Sequence, residues 1–201
     1  MAKISRAIIS CHDKTGVVEL AKLLREFDVE IISTAGTLQV LEEAGIEAVS
    51  MGDYTGVAEM MDGRVKSLHS KIHAGLLGIR TRKLHTEQLL AANYEWIDFC
   101  AVNLHPVEEV LQRPGVTIEE VIDQVDIGGM AMLRSAAKNF RYVTCAVNPD
   151  RYSTIMHELR AHDGEVTFKT RYRLAQEAFA ATARYDQIIA DYLKNHEPGA
   201  E

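Results

Sequence analysis

Cysteine is scarce in this chain of 201 residues, and what there is follows no pattern. Cys11, Cys100 and Cys145 sit singly in or beside apolar runs. An odd count without metal spacing excludes a disulfide framework and a zinc cluster, and predicts buried, reduced thiols in a cytoplasmic protein. No apolar run approaches the roughly 20 residues of a membrane span, so no membrane partner is expected. The segment Met1-Ala2-Lys3-Ile4-Ser5-Arg6 has no apolar signal region and leads straight into a strand-like stretch. Basic charge is also short: 22 Lys and Arg against 29 Asp and Glu give a net charge of −7. That argues against nucleic acid as a partner and leaves any local cations to serve a local anion. Solenoid repeats, low-complexity tracts and linkers are missing. One domain over residues 1–195 is expected, with 196–201 a flexible tail.

What is present is an alternation of short apolar runs and helical spacing. Arg6–Ser10 reads as a strand, Cys11–Gly16 as a turn that Asp13 or Thr15 can use to cap a helix, and Val17–Phe27 as that helix. Val29–Ser33 is the second strand. Thr34, Ala35, Gly36 and Thr37 form its turn, and Leu38–Ala44 a helix ended by Gly45. Ile46–Ser50 is a third strand, whereas 52–77 is expected to hold little regular structure. Arg80–Tyr94 reads as an exposed helix, Ile97–Asn103 as a buried strand and Val107–Leu111 as a short helix. Thr117-Ile-Glu-Glu120 is a capping box opening another. Asp126-Ile127-Gly128-Gly129 breaks the pattern ahead of a helix over Met130–Phe140. Tyr142–Val147 is the last strand, Pro149–Ala161 a helix, and Glu165–Lys194 a long amphipathic helix or helix pair. This alternation predicts an α/β protein of three layers, α/β/α, around a mostly parallel sheet of about five strands with C-terminal helices.

The chemistry concentrates in Asp62-Gly63-Arg64-Val65-Lys66-Ser67-Leu68-His69. Charged and imidazole side chains broken by a glycine and single apolar residues fit neither a helix face nor a strand, so an irregular anion-binding loop is expected. The two strand-to-helix turns, at Lys14 and at Thr34–Thr37, expose backbone amides to the carboxyl edge of a parallel sheet, where such sheets bind ligands. Asn103 and His105 end a strand near the same edge. The paired glycines after Ile127 leave further amides, and Lys138 lies about two turns along the helix that follows. His69 and His73 fall four apart, but only a helix makes them neighbours, so no metal site is expected.

These motifs in this order resemble the inosine monophosphate cyclohydrolase domain of the bifunctional purine-biosynthesis protein, along nearly the whole chain. The resemblance is carried by Ser10 with Asp13-Lys14-Thr15-Gly16, Ser33-Thr34-Ala35-Gly36-Thr37, Asp53-Tyr54-Thr55-Gly56, the Asp62–His69 loop, Asn103-Leu104, Pro114-Gly115-Val116-Thr117, Asp126-Ile127-Gly128-Gly129, and Ala136-Ala137-Lys138-Asn139. It implies a methylglyoxal-synthase-like fold and closure of a purine ring by loss of water. Lys66 would sit at the reacting oxygen, Asp126 at the carboxamide, Lys138 would transfer protons and His105 would face the base. Ser10, His12, Asp13, Lys14 and Thr34–Thr37 would hold the phosphate, and Arg64, Val65, Ser67, Asn103, Ile127 and Gly128 the base and ribose. It implies no cofactor or metal, a purine ribonucleotide as substrate and product, a homodimer, and a separate formyltransferase, since the chain resembles the cyclohydrolase part alone. Three positions depart from the family: His12 replaces serine, His105 tyrosine, and Ser70 proline. They leave open an altered ribotide from a nucleoside-antibiotic pathway. A non-catalytic nucleotide sensor of similar fold needs no set of Lys66, Asp126 and Lys138, and a methylglyoxal synthase, acting on a small triose phosphate, needs no residues to line a base.

Overall fold

The computed structural model describes residues 3–196; positions 197–201 of the expected tail lie outside the described residues. Strand β1 (Arg6–Cys11) carries apolar side chains buried on both faces, so it belongs inside a covered sheet. It pairs in parallel with β2 (Glu30–Ser33) on one side and β4 (Phe99–Asn103) on the other. Strands β3 (Val49–Ser50) and β5 (Thr144–Ala146) form the edges, giving a five-stranded parallel sheet of order β3-β2-β1-β4-β5. The chain steps outward from β1 to β3, then crosses back to β4 on the other side of β1. Where strand order reverses in this way, successive loops leave toward opposite faces and a crevice opens at the carboxyl ends.

Alternate strand residues feed two cores, as a period of two demands. Ala7, Ile9, Ile31, Phe99 and Ala101 pack beneath α1 (Val17–Glu26), α2 (Ala35–Glu43) and α9 (Tyr152–Ala161). Ile8, Ile32, Cys100 and Val102 pack beneath α3 (Met51–Thr55), α4 (Ser70–Leu77), α8 (Gly128–Lys138) and α10 (Phe168–Asn195). The three layers are those expected from the sequence. Helix α5 (Lys83–Ala91) buries only Leu89. Helices α6 (Val107–Leu111) and α7 (Ile118–Asp123) join α8 and α10 through a third small core of Val107, Val110, Val121, Met130 and Tyr185. The three cysteines are free and buried, and burial raises each thiol, that of Cys145 to about 12.

The structure corrects several boundaries. Residues 52–77 hold two helices rather than little structure. The first is capped by Ser50, whose hydroxyl accepts from the Asp53 amide, and α4 by His69, whose Nδ1 accepts from the Lys71 amide. Both are too short for a periodicity signal, which is why the sequence hides them. Helix α2 starts at Ala35, not Leu38, and α8 at Gly128, not Met130, so the small residues read as turns are first helical turns. Neither Asp13 nor Thr15 caps α1. Its N-cap is Gly16 at φ 70°, and Asp13 instead accepts from the amide and hydroxyl of Thr15. The C-terminal stretch is one helix of 28 residues, not a pair.

The sheet's amino edge is held by one carboxylate. Asp98 is 5% exposed; its Oδ2 accepts from the amides of Ser5 (2.7 Å) and Arg6 (3.0 Å), and its Oδ1 pairs with Arg80 at 2.5 Å. Removing it strands a mostly buried guanidinium and two amides. Asp98→Ala is therefore expected to lower unfolding stability by about 3–5 kcal/mol, measured by denaturant titration. A loss under about 1 kcal/mol would mean that water replaces the carboxylate freely.

Candidate active site

The crevice at the strand-order reversal is a cleft of about 820 Å³, within the usual size of a small-ligand site. Its first wall is the turn after β1. Asn103, the last residue of β4, reaches across with its side-chain amide. Oδ1 accepts from the His12 (2.6 Å) and Asp13 (2.9 Å) amides, and Nδ2 donates to the Asp13 carbonyl at 2.7 Å. Lys14 folds back so that Nζ donates to the carbonyls of Cys11 (2.8 Å) and His12 (3.1 Å). The turn before α2 is tied to the same wall: the Ser10 and Thr34 hydroxyls are 2.8 Å apart, and Thr37 Oγ1 accepts from the Cys11 amide at 3.0 Å. Thr34, Gly36 and Thr37 thus present the N-terminus of α2, with its partial positive charge, to the cleft.

The opposite wall joins the loop 62–67 to the start of α8. The Ser67 side chain packs on the start of α8 so closely that a Cβ on Gly128 would lie 2.3 Å from Ser67 Oγ. A Cβ on Gly129 would lie 2.5 Å from Asp126 Oδ2, so a larger residue at either place would push one of these side chains aside. Asp126 Oδ1 accepts from the Gly129 amide at 2.7 Å and its own amide donates to the Tyr185 hydroxyl at 2.9 Å. That leaves Oδ2 for a ligand. Of the three cations lining the cleft, Lys14 is bound to turn carbonyls and Arg64 to Asp123. Lys66 has no ion pair or hydrogen bond among the described residues, so its charge is available. At the rim, the His12 and His105 rings meet edge to face with centroids 4.5 Å apart. Burial pushes the His105 imidazole below its ordinary value, and His12 adds to the effect.

Fourteen of the sequence-predicted residues line this one cleft: Ser10, His12, Lys14, Thr34, Gly36, Thr37, Arg64, Lys66, Ser67, Asn103, His105, Asp126, Ile127 and Gly128. Four do not. The Asp13 side chain is turned onto Thr15, Ala35 is exposed on α2, and Val65 bridges to Met60 in a small antiparallel pairing. Lys138 is the last residue of α8, exposed, about 15 Å along the axis from Gly128. A lysine there does not reach the cleft its helix begins in, so its expected place in this site is corrected. Asn103 lines the cleft and its amide also braces the turn. Missed by the sequence reading were Cys11, Asp62, Gly63, Ile122, Asp123, Gln124, Val125, Gly129, Met132 and, from α10, Ile189. Asp62, Gly63 and Gly129 lie within motifs already singled out. Ile189 carried no signal, because an apolar residue on an amphipathic helix reads as core. Among the described residues no group of three or more His, Cys, Asp or Glu is placed to hold a metal, and no helix is long and apolar enough to cross a membrane.

Comparison with known proteins agrees with the motif resemblance. The MGS-like domain family matches residues 16–131, and the AICARFT/IMPCHase bienzyme family matches residues 136–201. The chain is 50% identical over 190 residues to the bifunctional purine biosynthesis protein PurH of Listeria welshimeri, covering 94% of this chain and 37% of that protein. PurH of Magnetococcus marinus is 46% identical over 193 residues, 96% of this chain and 36% of that protein. The chain thus spans little more than a third of the length of these relatives. The crystal structure of ForH superposes with a TM-score of 0.85 at 31% identity, covering 92% of this chain and 95% of that one. With one family matched over residues 16–131, which include the turn before α2, the 62–67 loop and the start of α8, and a solved relative matched over nearly its whole length, this chain belongs to the MGS-like domain family.

Proposed function

We propose that this chain is an inosine monophosphate cyclohydrolase of purine biosynthesis. Its substrate is 5-formamidoimidazole-4-carboxamide ribotide. The carboxamide nitrogen attacks the formyl carbon, forming the new C–N bond, and a proton passes from that nitrogen to the formyl oxygen. Water then leaves with that oxygen and the proton of the formamide nitrogen, giving inosine monophosphate. One observation carries the reading: a single cleft gathers an unpaired ammonium, Lys66, a half-free carboxylate, Asp126, and two amide-rich turns. The printed descriptions of the relatives, purine biosynthesis protein and IMPCHase, support it.

Each role follows from what the reaction lacks. An amide nitrogen is a poor nucleophile, so it needs an acceptor for its proton; Asp126 Oδ2 is the free carboxylate oxygen. Attack builds negative charge on the formyl oxygen, and Lys66 is the cation with no competing partner. The amides at the start of α2, with Lys14 beside them, suit a phosphate. Arg64, Ser67 and the Ile127 amide suit the base and ribose. Because the substrate supplies both reacting groups, no cofactor or metal is called for. The same reading takes a homodimer as the assembly, a separate formyltransferase as the source of substrate and the cytoplasm as the place of work.

Incubation with the formylated ribotide, followed by ultraviolet absorbance, tests the activity. Lys66→Ala is expected to cut turnover about a hundred- to a thousandfold with the fold intact, the usual cost of one oxyanion donor. Turnover near that of the parent chain would remove Lys66 from the mechanism. Calorimetry provides a second check. Inosine monophosphate is expected to bind without metal and more tightly than inosine, because the phosphate faces the two turns. Equal affinities would sink the phosphate assignment.

A further inference from the structure

The His12–His105 pair is the part of the cleft that the proposed mechanism leaves unused. The two side chains come from the ends of different strands, β1 and β4, and are brought together by the Asn103 brace. Their rings meet at 66° with centroids 4.5 Å apart. The two nitrogens of His105 sit in different surroundings. Nδ1 is buried without a hydrogen-bond partner among the described residues, whereas Nε2 is not buried and makes no protein hydrogen bond. Protonating His105 would therefore place an N–H of a cation in a buried site that offers it no acceptor, which is costly. The neutral ring with its hydrogen on Nε2 avoids that, since only a lone pair is buried.

We propose that His12 and His105 work as a unit, with His12 covering His105 so that it remains a neutral imidazole whose Nε2 hydrogen is donated to a carbonyl oxygen of the bound base. The choice of that oxygen as ligand rests on the ring-closing reading; the state of the imidazole does not. The charged and titratable groups facing His105 are His12 from the turn after β1, Asp126 before α8, Glu109 on α6 and Arg113 just beyond α6. Burial is the largest influence and lowers its pKa; His12 and Arg113 act the same way, and Asp126 and Glu109 oppose them. A lowered pKa keeps the neutral form predominant to a pH below the ordinary histidine value of about 6.5. A neutral imidazole donates one directed hydrogen bond and does not repel Lys66. Its role is to choose substrates by the acceptor they place at this corner, and it transfers no proton.

Two measurements test this. Nitrogen-15 NMR of the histidine side chains, followed through a pH titration of the whole chain, is expected to show His105 with its hydrogen on Nε2 and a midpoint below about 6.5. In His12→Ala both the cover and the neighbouring imidazole are lost, so the midpoint is expected to rise. A midpoint at or above the ordinary value in the parent chain, or a hydrogen on Nδ1, overturns the proposal whatever the enzyme's activity. In kinetics, His105→Gln keeps a neutral donor and His105→Phe keeps only the ring. The glutamine form is expected to retain kcat/KM within about tenfold and the phenylalanine form to lose about a hundredfold. Equal losses in both would mean that a donated hydrogen bond is not what His105 contributes, and would overturn it. If the parent chain closes no ring, the functional reading fails, and the NMR arm still decides the state of the pair.

Discussion

Three hydrogen bonds from one side chain hold the cleft together. Strand order reverses between β1 and β4, so the loop after β1 turns to α1 on one face while the loop after β4 leads to helices packed with α10 on the other. The two strands stay paired as far as Cys11 and Asn103, and beyond that point the two chain segments diverge. The Asn103 amide bonds both amides and a carbonyl of the turn, at 2.6, 2.9 and 2.7 Å, and closes that gap. Everything at this end depends on it. The Ser10–Thr34 contact carries the constraint to α2, and the His12–His105 contact carries it to the rim. A side chain that at first seems suited to touch a ligand is better understood as the brace that gives the ligand a place.

The charges in the cleft follow a similar division of labour. The chain is acidic overall, yet Lys14, Arg64 and Lys66 converge on one cleft. Two of them are restrained, Lys14 by carbonyls of its own turn and Arg64 by Asp123 across the mouth. Lys14 is thereby held beside the start of α2, which suits a ligand group of fixed geometry such as a phosphate. Lys66, which pairs with no described residue, sits on a loop whose neighbour, Ser67, is 1% exposed and pressed on the start of α8. An anchored loop with one free ammonium is the arrangement expected where charge appears only during reaction.

The fold was legible wherever a period or a cap wrote it into the sequence. Ile8 and Ile9, or Cys100 and Ala101, alternate between two cores, so the buried parallel strands could be read from their unbroken apolar runs. The Thr117 capping box forms as the spacing implied. Helices α3 and α4 were invisible because five and eight residues hold too few turns for periodicity. In the site, the loop, both turns and Asp126 were legible through motif order. Lys138 was misplaced because a motif shows that a lysine follows the glycines, while ten residues of helix axis carry it to the opposite edge of the sheet. Ile189 and Asp123 were missed because tertiary packing alone brings α10 and the end of α7 to the cleft.

The central claim is that a single ligand spans this cleft from the two turns to the rim, with its phosphate at the start of α2. A crystal structure of the chain with inosine monophosphate tests that most directly. The phosphate is expected against the backbone of Thr34–Thr37 and beside Lys14, with the six-membered ring of the base between Lys66, Asp126 and His105. A nucleotide bound elsewhere, or bound here with its phosphate toward Asp126, would contradict the account.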